Sequence, residues 1–180
     1  MRKWMLLLLA IVMAALCACG AGEQKQAEPR ESAAEESAPE QSEAAAAGEL
    51  RFAAQGVAFG IFDEAGPVLE KLGEPLASFE TESCAYEGLD YVYDYDGFEI
   101  SVNELDGALR ITAISLLDDS VATPQGLRIG MPLQEALDAM PMDYREEGRA
   151  YRFLSGDVSL TLRVNNGGEI VAIDYFPADN

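Results

Sequence analysis

The sequence predicts an α+β fold: two tandem units, each a helix followed by three strands, forming one antiparallel six-stranded sheet with helices on one face. Three observations lead there. Residues 91–102 alternate between large apolar and polar side chains on either side of Asp96-Gly97. The chain also echoes itself. Gln55-Gly56-Val57-Ala58-Phe59-Gly60 returns as Gln125-Gly126-Leu127-Arg128-Ile129-Gly130, and Ile111-Thr112-Ala113-Ile114-Ser115-Leu116 as Ile170-Val171-Ala172-Ile173-Asp174-Tyr175. Between these anchors each copy runs in the same order, a short helical pattern and then strand patterns. The domain reading is a signal peptide over 1–18, a lipid-bearing Cys19 with a tether to 49, one unit over 50–120 and a second over 121–180.

Taken in order, the chain starts with Arg2 and Lys3 and an apolar run of twelve residues, 5–16. A spanning helix needs about 20 residues, so the run suits a secretory segment instead. It ends in Leu16-Cys17-Ala18-Cys19-Gly20, which resembles the lipobox of bacterial lipoproteins. The resemblance implies cleavage before Cys19 and a lipid on that residue. Cys17 fits less well, because Leu16 stands where a small residue is needed. Residues 20–49 are mostly Ala, Glu, Gln, Ser and Pro with no aromatic residue, and they predict a disordered stalk. As a flexible coil it would span about 30 Å.

The helices are expected over 64–72 and 133–140. Leu69 and Leu72 match Leu137 and Met140 as i, i+3 apolar pairs. Pro132 suits a first turn, while Gly73 and Pro141 supply stops. The strands are expected over 91–95, 98–102 and 110–116, then 150–154, 158–164 and 170–176. Asp96-Gly97 is a two-residue turn signal, since both positions need φ > 0. It pairs Tyr95 with Phe98, Tyr93 with Ile100 and Tyr91 with Val102 on one face. Asp106-Gly107, Gly156-Asp157 and residues 165–168 supply the other turns.

The doubled helix-and-strands unit looks like the β-lactamase inhibitor protein architecture, and a single unit is similar to the small outer-membrane assembly lipoproteins. Glu82-Ser83-Cys84-Ala85-Tyr86-Glu87-Gly88, with residues 118–126, also resembles uncharacterised surface lipoproteins of Firmicutes. The first likeness implies a fold and carries no activity, because fold does not imply function. Those inhibitors depend on two disulfides that this chain cannot form.

Acidic residues outnumber basic ones 32 to 12, and His is absent. Removal of residues 1–18 leaves 32 acids against 10 bases. That balance excludes a nucleic-acid partner, which needs a basic footprint. Without His there is no Ser-His-Asp or Cys-His pair and no usual zinc ligand. Cys84 stands among Glu80, Glu82 and Glu87, which oppose a thiolate, so it reads as a buried or half-buried packing residue. Asp94-Tyr95-Asp96-Gly97 resembles the start of a calcium loop, but the alternation of residues 98–102 favours a plain hairpin turn. Asp118-Asp119 reads as the end of a strand. Gly56 and Gly60 lack the spacing and the Lys of a phosphate loop.

No catalytic residue, metal ligand or cofactor is therefore expected. What remains is a surface. The open sheet face is expected to carry Val92, Asp94, Glu99, Ser101, Ile111, Ala113 and Ser115, then Arg152, Leu154, Ser159, Thr161, Arg163, Ile170, Ala172 and Asp174. Its candidate binding residues are Asp94, Glu99, Arg152, Leu154, Thr161 and Arg163. They suit an unknown protein partner at the cell envelope, the membrane being reached only through the lipid. The alternative is a small-ligand or metal carrier, or an enzyme working with carboxylates.

The lipobox generates the first prediction. Cys19→Ala should abolish incorporation of an alkyne fatty acid in labelled cells, and equal labelling of the variant would remove the anchor from Cys19.

Overall fold

The computed structural model describes residues 49–178. The expected signal peptide, Cys19 and the expected tether up to residue 48 lie outside the described residues. The predicted six-stranded sheet is not what forms. An eight-stranded antiparallel sheet of order β3-β4-β5-β6-β10-β9-β8-β7 takes its place, beside a two-stranded sheet β1-β2 and two short helices. The first half contains α1 (Ala65–Leu72), β3 (Ala77–Glu82), β4 (Leu89–Tyr95), β5 (Phe98–Leu105) and β6 (Ala108–Leu116). The second contains α2 (Leu133–Ala139), β7 (Tyr144–Glu147), β8 (Ala150–Ser155), β9 (Val158–Val164) and β10 (Ile170–Pro177). Each helix is followed by four strands rather than three. The additions are the two edges, β3 and β7, where most side chains face water on both sides and no core-facing alternation exists to read.

β1 (Phe52–Ala54) and β2 (Val57–Phe59) form a hairpin around Gln55 and Gly56, both at positive φ. Phe52 and Phe59 meet edge to face with ring centres 5.6 Å apart. Both rings also lean on Phe98 of β5, and Phe52 reaches Tyr175 of β10. Beside them Tyr95 stacks on Phe98 at 5.1 Å, across the Asp96-Gly97 turn. The β4–β5 register is Tyr95↔Phe98, Tyr93↔Ile100 and Tyr91↔Val102, as the turn chemistry predicts. Helix α1 buries Ala65, Val68 and Leu72 against this core, and α2 buries Ala136. Pro67 falls in the opening turn of α1, where its missing N–H costs no helical bond. Gly73 ends α1 at φ 79°, its N–H bonded to the Leu69 carbonyl.

The last strand of each half carries one extra residue. The register slips between Ser101 and Val102 opposite β6, and between Ile170 and Ala172 on β10. The residues left over are Thr112 and Val171. Each bulge reverses the alternation, so Ile111 and Ile170, expected on the open face, are fully buried. Both then bond the segment leading into a helix. Ile111 exchanges backbone bonds with Phe62 and Asp63, and Ile170 with Gly130 and Met131.

Burial separates two truncations at the hairpin. Phe98 is 1% exposed, so Phe98→Ala should cost about 3–5 kcal/mol, as large aromatic truncations do. Tyr93 is only half-buried, so Tyr93→Ala should cost clearly less. Urea denaturation of both variants checks the order.

Candidate functional site

The cross-strand pairs line up into one row of side chains across the face away from the helices. It runs Ala77, Asp94, Glu99, Ser115, Asp174, Thr161, Arg152 and Arg145, one residue per strand from β3 to β7. Carboxylates fill the β4–β5 side of the row and guanidiniums the β8–β7 side. Beside it runs a second row, less polar: Phe79, Val92, Ser101 and Ala113 in the first half, and Phe176, Ser159 and Leu154 in the second. Phe79 is 60% exposed, Phe176 39% and Leu154 38%.

All six candidate residues share this face, though not as independent exposed groups. Leu154 and Arg163 are exposed, Asp94, Glu99 and Arg152 half-buried, and Thr161 buried. Arg163 donates to the buried carboxylate of Asp174 at 2.7 Å. It is therefore a structural partner as much as a surface charge, and its reversal would set a second acid beside a desolvated one. The residues of the face that escaped the sequence reading include Phe79 and Arg145, whose strands were not recognised, and Phe176. Their signal was weak, since β7 is four residues long with three charges and β3 has no buried side chain.

Asp94 lies directly across from Glu99. Partial burial pushes the Glu99 carboxyl above its ordinary range. The negative charge of Asp94, a hydrogen bond to Asp94 that favours the protonated form, and the charge of Asp174 push the same way.

The other sequence motifs resolve locally. Asp96 and Gly97 are the β4–β5 turn, with Gly97 at φ 79°. Asp118 accepts hydrogen bonds from the Ser120 hydroxyl and N–H, which lower its pKa. Cys84 is exposed in the β3–β4 loop rather than packed, because β3 extends the sheet beyond the core and carries the loop out with it. Among the described residues no group of three or more His, Cys, Asp or Glu is placed to hold a metal ion, and no helix is long and apolar enough to cross a membrane. A groove of about 640 Å³ opens at the end of the sheet where the β3–β4, β5–β6 and β8–β9 turns gather. Phe62, Tyr86, Glu104, Asp106, Arg110 and Asp157 help to line it. The Arg110 guanidinium there is bonded to the Phe62 carbonyl at 2.9 Å.

No protein-family model and no curated protein matches the chain. Among solved structures it is similar to an extracellular protein containing a SCP domain from Bacillus anthracis, at 17% identity and a TM-score of 0.48. The match covers 65% of this chain and 44% of that one, so the chain spans less than half the length of its neighbour. A likeness that distant carries neither an activity nor a partner across.

The Glu99 environment yields a pH prediction. Folding raises this pKa, so between the ordinary Glu value and the raised one the folded protein binds more protons than the unfolded chain. Its stability contribution therefore falls as pH rises through that window. Glu99→Gln should remove the fall, gaining on the wild type as pH climbs from the ordinary Glu range toward neutrality. Denaturation at a series of pH values tests it, and parallel profiles would mean that Glu99 is solvated like any surface acid.

Proposed function

We propose that the protein is a lipid-anchored, extracytoplasmic interaction module without a catalytic role, which binds another protein at the cell envelope through the open face of its sheet. The observation that carries the reading is the row from Asp94 to Arg145, acidic at one end and basic at the other, flanked by exposed Phe79, Phe176 and Leu154. Such a face selects a partner whose charges run in the opposite sense. It acts mainly on association rate and on the rejection of wrong partners. The lipobox and the resemblance to Firmicutes surface lipoproteins support the location. The groove beside Phe62 favours a second reading, a carrier of a small ligand. A change in melting temperature with added ligand, abolished by altering Arg110, would support it.

The test of the first reading starts with the full chain carrying a photo-crosslinking side chain at Ser115, in intact source cells. A control position on the exposed side of α1, Glu70, should capture nothing. Association with the captured partner is then timed for the wild type and for Arg145→Glu with Arg152→Glu. Arg163 is left in place because it holds Asp174. The double variant should associate several-fold more slowly at low salt. The difference should shrink as salt rises, since Arg145 is exposed and exposed charges are screened beyond about 8 Å at physiological ionic strength. Equal rates at low salt, with the fold intact by circular dichroism, would remove the face from the interaction.

A further inference from the structure

An open sheet has two edges, and here they are guarded differently. β7 is short. It sets Arg145 and Glu147 on the open face and packs the Tyr144 ring against Tyr151 and Phe153 on the other. β3 is six residues long, contains no Pro, and among the described residues pairs only with β4. On the open face it shows Ala77, Phe79 and Thr81, opposite Asp94, Val92 and Asp90, with no charge of its own. On the opposite face it shows Ser78, Glu80 and Glu82, opposite Tyr93, Tyr91 and Leu89.

The backbone phase of this edge follows from one bond. The Ser83 N–H donates to the Gly88 carbonyl at 3.1 Å, making that a bonded pair. Bonded and unbonded pairs alternate along an antiparallel ladder, so odd-numbered residues of β3 direct their backbone groups to β4. Ser78, Glu80 and Glu82 then present N–H and C=O outward. An unpaired edge of this kind is a template for another strand, and edge charges usually discourage one. The charges here sit on one face only and are of one sign. No basic residue occurs between Lys71 and Arg110, a stretch that includes Glu74, Glu80, Glu82, Glu87 and Asp90. A second copy of β3 would bring Glu80 and Glu82 against their own kind, so the edge repels itself.

We propose that β3 accepts an extended segment of a partner protein as a ninth strand, and that the segment alternates apolar residues with Lys or Arg. Its apolar side chains would lie beside Phe79 on the open face, and its cations beside Glu80 and Glu82 on the other. Main-chain bonds to Ser78, Glu80 and Glu82 supply affinity, and the alternation supplies specificity. This rests on the reading of the protein as an interaction module but uses a surface distinct from the row ending at Arg145.

The experiment uses the full chain and two short peptides, one alternating Val with Lys and one alternating Val with Glu. The Val-Lys peptide should bind, more tightly at low salt, and should slow amide hydrogen exchange at Ser78, Glu80 and Glu82. Glu80→Lys with Glu82→Lys should weaken that peptide about tenfold or more and gain binding to Val-Glu, as expected when charge sets partner choice. Ser78→Pro removes an outward donor without touching charge, and Pro is tolerated on an edge whose N–H faces solvent. It should weaken binding while leaving the melting temperature close to that of the wild type. Binding of Val-Lys without protection of those amides, or equal binding by the lysine variant, would overturn the proposal. Should neither peptide bind while the crosslinked partner still responds to the Arg145 and Arg152 reversals, the strand edge falls and the interaction face stands.

Discussion

The pairing of β6 with β10 is the contact on which the rest depends. Three residue pairs make it: Leu116 with Ile173, Ser115 with Asp174, and Ile114 with Tyr175. Across the seam the two halves share one core. Ile114, Ile173 and Tyr175 are fully buried where the halves meet, and Phe52 of the first hairpin closes over Tyr175. On the opposite face the same three pairs set Ser115 between Glu99 and Asp174. The register that completes the core thus also completes the charged row, and a one-residue slip at the seam would exchange the two faces of half the sheet.

The two bulges belong to this arrangement. An extra residue at Thr112 and at Val171 lets β6 and β10 keep one phase at the seam and the opposite phase in the residues before the bulge. In the changed phase Ile111 and Ile170 point inward and hold the lead-in to each helix through backbone bonds. The first bulge also buries Thr112 beside Asn103, and the two bond each other at 2.5 Å. Asn103 in turn donates to Asp90 and the Leu89 carbonyl, so a polar chain links β6 through β5 to β4. Buried polar groups are costly unless satisfied, and these are satisfied by neighbours that only this register supplies.

Much of this was legible in the sequence where burial is one-sided. The alternation of residues 91–102 and the Asp96-Gly97 turn specify the β4–β5 register, and Pro132, Pro141 and Gly73 mark helix ends. The six inner strands appear near their expected positions. The edges were not legible, because a strand with water on both faces leaves no periodic trace. The bulges were not legible either, because an inserted residue looks like continued strand until its partner is known. That is why Ile111 and Ile170 were placed on the wrong face, and why Phe79 and Arg145 were missed. For the site, the shared face of Asp94, Glu99, Arg152 and Thr161 follows from alternation alone. The bond from Arg163 to Asp174 does not, since it depends on pairing between β9 and β10, whose alignment includes a bulge.

The charge distribution connects the face with the edge. Among the described residues the first half carries its bases at Arg51, Lys71 and Arg110, leaving β3, β4 and β5 with acids alone. The second half adds Arg128, Arg145, Arg149, Arg152 and Arg163. Of these, Arg145, Arg152 and Arg163 lie on the open face. The sheet is therefore polar along the direction that crosses its strands. A dipolar surface of that kind orients a charged partner before contact, at distances where shape has no effect. Rather than toward Arg152 and Arg163 on β8 and β9, a cationic segment would be drawn toward the acidic β3–β5 side. There the strand edge offers unpaired backbone groups, with Phe79 projecting beside the apolar row of the face. Long-range attraction and short-range bonding thus favour the same side of the molecule, and Phe79 is the side chain through which a strand added at the edge would touch the open face.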